Sequence, residues 1–447
     1  MGTLLVRNAA VLVTMDGKGT EIEDGGMFIR DGWIEKTDIG PRLPKTADSV
    51  VDLSNCVVLP GFINGHHHLY QTLDRACVAS QSANLIGWLN GLYPRWAKLT
   101  PDDVRLAMEI GLAELALSGC TTVADHHYLW VNGNVAEDHL EVAARVGIRF
   151  HLGRGFQNIG QTNGGFAPDS LTEKDDNILA DCDRVVSRFH DPTPGALMRI
   201  FIAPGSVRTV TPDLLRESAQ MARDLDVGFH MHLGETASEI DFVRERSGCR
   251  PAELAESLGC VGENTWFAHA VHLNREDVKV LCNHRCGICH CPSSNMRLAS
   301  GIAPIQQYRK QGLKVGLGVD GSASNDSSNL FAELRLALLL SRVNVKAPDA
   351  LLEPRAALEM ATAGGARLLG RDDIGRLTPG CVADFIAIKL DRIEMLGAED
   401  PVAAIALCAL NRVDHSWVNG RSLVADGMLR SVDIAALAER VRRRAVN

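Results

Sequence analysis

Three histidines stand in a row at His66, His67 and His68, closing the apolar run "VVLPGFIN". Neutral imidazole is a metal ligand, and the run before it is β-prone and reads as a strand. Strand side chains alternate between faces, so His66 and His68 share one face and His67 points the other way. One strand end can offer a metal such an i, i+2 pair; the plainer reading of the same residues is a polar patch at a strand terminus. The same chemistry recurs downstream. "HMHLGE" carries His230, His232 and Glu235, "AHAVHL" carries His269 and His272, and "GVDGSASND" carries Asp320. His66, His68, His232 and Asp320 make a set of three imidazoles and one carboxylate, suited to one divalent ion, Zn²⁺ or else Fe²⁺. Such an ion acidifies water, which is how hydrolysis at neutral pH begins. Asp320 is expected to bind the ion and to accept the water's proton. Glu235, three residues beyond His232, is placed to carry a proton, and His269 to polarise the group under attack.

These residues can meet only if the segments carrying them converge. Between residues 57 and 370, eight short β-rich runs alternate with amphipathic helical stretches. The runs are "VVLPGFIN", "TTVAD", "IRFHLGR", "MRIFIAPG", "VGFHMHLG", "TWFAHAV", "CGICHCP" and "KVGLGVDG". Helix signals lie between them: "TPDDVRLAMEIGLAELALSG" opens on a Thr cap, a Pro and two Asp, and closes on Gly119. The pattern predicts an α/β fold, a parallel (β/α)8 TIM barrel over 57–370, with His, Glu and Asp at the C-terminal strand ends that form its mouth. Both termini differ. Residues 1–56 include "IRDGWIE", an Asp-Gly hairpin, and residues 371–447 include "ADFIAIKL" and the Asn-Gly hairpin "HSWVNGRSLVADG". They predict one small β-sandwich domain built from both chain ends, with a last helix from Ile434.

Composition narrows the partners. The 447-residue chain is 46% hydrophobic with a formal charge of −9, and its one basic run, "RVRRR", suits a solvated helix end. That argues against nucleic acid, and no apolar run is long enough for a membrane span. Twelve cysteines without paired spacing point to reduced thiols and a cytoplasmic setting. Cys286, Cys289, His290 and Cys291 match haem-attachment or zinc spacing, but "CGICHCP" has the length of a buried strand, so they are expected to pack as small apolar residues.

In order along nearly the whole chain, "PGFINGHHHL", "HMHLGET", "FAHAVHL", "HCPSSNMRLASGIAPI", "GLGVDGSASND" and "GRLTPGCVADFIAI" resemble the amidohydrolase superfamily. Within it the chain is similar to the mononuclear aminohydrolase branch, which holds guanine, adenosylhomocysteine and triazine deaminases. "MRIFIAPG" lacks the strand-four lysine that binuclear members carboxylate. The resemblance implies hydrolytic loss of an amine from an aromatic N-heterocycle, a small-molecule partner, and a homo-oligomer. "HHHLYQTLDRA" and "TTVADHHYLW" are most similar to bacterial 8-oxoguanine deaminases; triazine aminohydrolases of the hydroxyatrazine type and guanine or pterin deaminases are the alternatives. Gln71 stands where guanine deaminases place a Gln that reads the purine edge. Arg154 and Arg208, after the third and fourth strands, could read an exocyclic oxygen or serve as ion-pair partners. Trp96 replaces a Glu frequent in relatives, and with Trp88 it marks the pocket wall.

Overall fold

The eight runs become eight parallel strands closed into a barrel in a computed structural model of the chain, which describes residues 2–343 and 351–446. They are β1 (Phe62–Asn64), β2 (Cys120–His127), β3 (Arg149–Phe156), β4 (Met198–Pro204), β5 (Gly228–Leu233), β6 (Thr265–His269), β7 (Gly287–His290) and β8 (Lys314–Leu317). Closure comes where Leu317 of β8 pairs with Asn64 of β1. Helices cover the outer faces, so the strands are apolar along their length rather than alternating. The helix Pro101–Leu117 starts where the sequence signals placed it: Thr100 accepts the Asp103 amide, and Asp103 returns the bond to the Thr100 amide.

The first run differs from its sequence reading. "VVLPGFIN" is not one strand. Cys56–Pro60 pairs antiparallel with Phe385–Lys389 in the terminal sheet, and only Phe62–Asn64 enters the barrel. Gly61 makes the crossing, because a Cβ there would lie 2.2 Å from the Thr121 side chain. The barrel therefore begins at Phe62 and not at Val57. The three histidines follow β1 as extended chain before the short helix Leu69–Asp74.

The termini join in one mixed nine-stranded sheet. Its long first strand, Thr3–Val13, pairs with Glu21–Arg30, Ser49–Asp52 and Cys56–Pro60. Phe385–Lys389 continues it through His415–Val418 and Arg421–Ala425. Asp31-Gly32 and Asn419-Gly420 form the two expected hairpin turns, each with both φ positive. The final helix, Ile434–Val446, packs on Pro101–Leu117. Among the described residues no helix is long and apolar enough to cross a membrane.

Arg149, at the start of β3, fastens the sheet to the barrel. It is fully buried, donates from Nε and Nη2 to Asp384 at 3.0 Å, and reaches the Gly195 carbonyl at 2.9 Å. Losing one partner of a buried pair leaves an uncompensated charge, at about 3–5 kcal/mol. Arg149→Met should lower stability by ~3–5 kcal/mol, read from the urea midpoint at unchanged slope. A midpoint like that of the unsubstituted protein would show that the pair contributes nothing net.

Candidate metal centre and active site

Six imidazoles, of His66, His68, His126, His230, His232 and His269, crowd the mouth of the barrel, and their protons can be assigned from their partners. His68 Nδ1 lies 2.6 Å from the His126 carbonyl, and His232 Nδ1 lies 2.7 Å from the Gly205 carbonyl. A carbonyl only accepts, so each Nδ1 carries the proton and each Nε2 presents a lone pair. Those two Nε2 atoms are 3.2 Å apart. His230 Nδ1 donates to the Trp266 carbonyl at 2.8 Å, so its Nε2 accepts from His66 Nδ1, also at 2.8 Å. His66 Nε2 is thus a third inward lone pair, 3.3 Å from Asp320 Oδ1, and His68 Nε2 is 3.4 Å from the same oxygen. Burial drives the His68 ring down to about 4 and His66 well below its ordinary value, so both stay neutral near pH 7. Three imidazole lone pairs and a carboxylate oxygen then face one another with no proton between them. That arrangement repels itself unless a cation stands at its centre, and the donor set fits a divalent ion.

Strand periodicity sorts the three consecutive histidines. His66 and His68 turn inward, while His67 Nε2 meets Ser328 Oγ at 3.0 Å outside the cluster. Two further histidines were not assigned from sequence. His230 orients His66, as described. His126 donates from Nε2 to the Ala203 carbonyl at 2.8 Å, which leaves its buried Nδ1 unpartnered beside His66, His68 and His232. The signal for both was present: each follows from alternation along a strand, two residues before His232 on β5 and one after Asp125 on β2.

Two backbone positions at the centre are strained. His269 and Asp320 have φ of +71° and +62°, a region that side chains larger than Gly rarely enter. The turn aims both side chains inward. His269 Nδ1 pairs with Asn295 Oδ1 at 2.8 Å, and its Nε2 faces Glu235 Oε2 and Asp320 Oδ2, each at 3.9 Å. Asp320 is steadied by the Gly321 amide at 2.6 Å and Ser324 Oγ at 3.1 Å. Glu235 sits between β5 and the helix Ala237–Ser247, and burial pushes its carboxyl up to about 7. The loop bearing it is pinned from beneath, because the Gly234 and Glu235 amides both donate to Glu239, at 2.8 and 3.1 Å.

A pocket opens over this cluster, walled by Trp88, Tyr128, Phe166 and Leu298 and carrying Gln71 and Arg208. Gln71 Oε1 and Arg208 Nε are buried and have no hydrogen-bond partner. Gly321 leaves room for the Gln71 amide; a Cβ there would fall 1.8 Å from its oxygen. Arg208 lies flat against Phe166 and Phe242, 5.0 and 4.7 Å from their centroids. Trp88 donates to the Ala323 carbonyl at 2.9 Å, whereas Trp96 is buried behind it and donates to Asp74.

Arg154 does not reach the pocket. It points out of β3, donates to Asp181 at 2.7 Å and Glu173 at 2.6 Å, and covers the Trp130 ring. The exocyclic-oxygen reading of Arg154 is therefore corrected to its ion-pair alternative: strand phase turns it away from the mouth. All twelve cysteines are free, and Cys286, Cys289 and Cys291 are buried in and beside β7. The clusters of described residues spaced to hold a metal contain no cysteine.

Residues 57–423 match the profile of the amidohydrolase family. The chain belongs to this family. It is 44% identical to the 8-oxoguanine deaminase of Pseudomonas aeruginosa, over 99% of this chain and 98% of that one. It is 36% identical to the hydroxydechloroatrazine ethylaminohydrolase of Pseudomonas sp. strain ADP, over 100% and 96%. Among solved structures, the zinc complex of the atrazine chlorohydrolase TrzN from Arthrobacter aurescens superposes with a TM-score of 0.94 at 32% identity, covering 98% and 99%. Like its amidohydrolase relatives, the chain is a hydrolase, acting on C–N bonds.

Proposed function

We propose that this amidohydrolase deaminates 8-oxoguanine, giving uric acid and ammonia, with one zinc ion held by His66, His68, His232 and Asp320. The broader part of this reading, a hydrolytic deaminase of a small heterocycle, rests on full-length similarity to named deaminases and aminohydrolases. Zinc is supported by the zinc-bound relative and by the donor chemistry of the cluster. The observation that carries the substrate is that two residues lining the aromatic-walled pocket, Gln71 and Arg208, each hold a buried atom without a hydrogen-bond partner, the acceptor Oε1 and the donor Nε. A purine with a ring N–H and exocyclic oxygens satisfies both, whereas an apolar ring leaves each unpaired at about 1–3 kcal/mol.

When bound, the ion lowers the pKa of its water toward ~7 and so makes hydroxide available at neutral pH. The residues do the rest. Asp320 takes the proton of the water that attacks C2. Glu235 delivers its proton to the ring nitrogen beside C2, takes up the proton that Asp320 drew from the water, and delivers that one to the exocyclic amine, which leaves as ammonia. His269, its Nδ1–H held by Asn295 Oδ1, hydrogen-bonds the group under attack through Nε2. Gln71 and Arg208 hold the ring so that the amine-bearing carbon faces Asp320. Water plus 8-oxoguanine balances to uric acid plus ammonia.

Ammonia release across 8-oxoguanine, guanine, a hydroxytriazine and a pterin tests the assignment. The expected order puts 8-oxoguanine first, with kcat/KM at least ~10-fold above guanine, because guanine lacks an oxygen that a donor such as Arg208 can hold. The 36% relative favours the second reading, a triazine aminohydrolase. Brisk alkylamine release from the hydroxytriazine, with none from 8-oxoguanine, would replace the first reading by the second.

A further inference from the structure

Behind the barrel wall lies a second cluster of ligand-type side chains that the reaction does not use. Along β2 the residues alternate: His126 faces the central histidines, while Asp125 and His127 face outward. There they meet His139 of the helix Ala136–Val146. All three are fully buried, and one ligand atom from each lies within 4.8 Å of the others.

The bonding of this cluster does not close. His127 Nε2 lies 3.0 Å from the Leu129 carbonyl, so it holds the proton and Nδ1 is a lone pair. That Nδ1 has no partner, nor has Asp125 Oδ2, nor has either nitrogen of His139. Asp125 Oδ2 and His139 Nδ1 are 3.9 Å apart, too far for a hydrogen bond. Around them stand rings: Trp130 packs on His127 at 4.5 Å and on His139 at 5.3 Å, and Tyr70 packs on His127 at 5.2 Å. A neutral His139 offers one N–H to a cluster of three acceptors. Buried acceptors left unpaired are costly, and an unpaired buried carboxylate is costlier still.

We propose that Asp125, His127 and His139 bind a second divalent ion, a structural zinc, separate from the one in the barrel mouth. Two imidazoles and a carboxylate are zinc ligands, and small side-chain rotations bring the three atoms to the ~3.4 Å separations that tetrahedral bonds of 2.0–2.1 Å impose. A water completes the shell. The second shell is already built: Leu129 fixes the His127 tautomer, and Asp125 Oδ1 accepts the Leu69 amide at 2.8 Å. Through that amide the ion fastens the turn directly after His68, while His126, between its two β2 ligands, holds His68 by its carbonyl. Its role is to stiffen the wall that carries the metal centre. Enclosed as it is, it loads as the chain folds and exchanges slowly.

Zinc-edge anomalous diffraction from crystals of the full chain grown with zinc is the direct test, with an expected peak between Asp125, His127 and His139 besides one at the mouth. In solution, zinc counted by mass spectrometry after equilibration with excess zinc should reach about two equivalents in the wild type, and about one in His232→Ala and in His139→Gln. The His139→Gln variant should keep the mouth peak and lose the wall peak. No anomalous peak at the wall site, with a wild type saturating at one equivalent, overturns the proposal. So does a His139→Gln variant that keeps both equivalents. Should His139→Gln fail to fold, the wild-type map and the His232→Ala count still decide.

Discussion

Glu235→Gln should lower kcat by at least ~10² while leaving fold and metal content intact, a loss of about 2.7 kcal/mol of transition-state stabilisation. An amine leaves a heterocycle only after it is protonated, so the group that carries the proton must first hold it and then give it up. Burial pushes the Glu235 carboxyl up to about 7, which keeps both of its forms populated near neutral pH. A glutamine preserves the shape and the contacts of the loop pinned by Glu239, but can neither take nor give a proton. KM should move much less than kcat, since the loss falls in the transition state. Near-normal turnover in Glu235→Gln, with 8-oxoguanine or with any substrate the ammonia assay finds, would remove Glu235 from the chemistry.

The second large effect is on the metal. His232→Ala should empty the mouth site at zinc concentrations where the unsubstituted enzyme is saturated, and turnover should fall with it. Its Nε2 stands 3.2 Å from that of His68, and the other histidine of β5, His230, cannot take its place, because it is already committed between His66 and Trp266. His67→Ala is the matched control. It removes a fully buried imidazole that stands between two of the metal-facing histidines, but one that bonds to Ser328 on the far side. Zinc counted per chain should therefore separate the two. Equal loss of mouth-site zinc from both variants would refute the alternation that distinguishes His67 from its neighbours.

That alternation shows what could be read without coordinates. Polar residues at the ends of several apolar runs mark the mouth of a barrel, because ligand-type side chains recurring at successive strand ends are hard to explain one by one. His66, His68, His232, Glu235, His269 and Asp320 were legible for that reason, and the structure brings them together. The break at Gly61 was not legible. Both sides of it are fully buried, one in the terminal sheet and one in the barrel, so hydrophobicity runs on unbroken while the chain changes sheets. Arg154 shows a different limit. Its position near a strand end suited substrate contact, but only the pairing of β2 with β3, which sets Arg154 beside His127, shows that it points outward. His126 and His230 share the alternation of their strands with the mouth residues, but that alternation does not tell a supporting histidine from a ligand.

The pairing of Cys56–Pro60 with Phe385–Lys389, and of Asn64 with Leu317, also fixes an order in time. On the ribosome, β1 and its histidines emerge long before β8 exists to pair with them. At ~5–20 residues per second, tens of seconds separate the synthesis of His66 from that of Asp320 and of the strand that completes the terminal sheet. Throughout that interval β1 has an open edge and its two histidines lack the carboxylate, while the third imidazole, His232, arrives part-way through. A nascent chain in this state holds a metal weakly and offers an unpaired apolar strand to its neighbours. Metal capture is thus tied to closure of the barrel, and anything that delays β8, from slow translation to a destabilised C-terminal third, prolongs the window in which the chain can aggregate or take up the wrong ion.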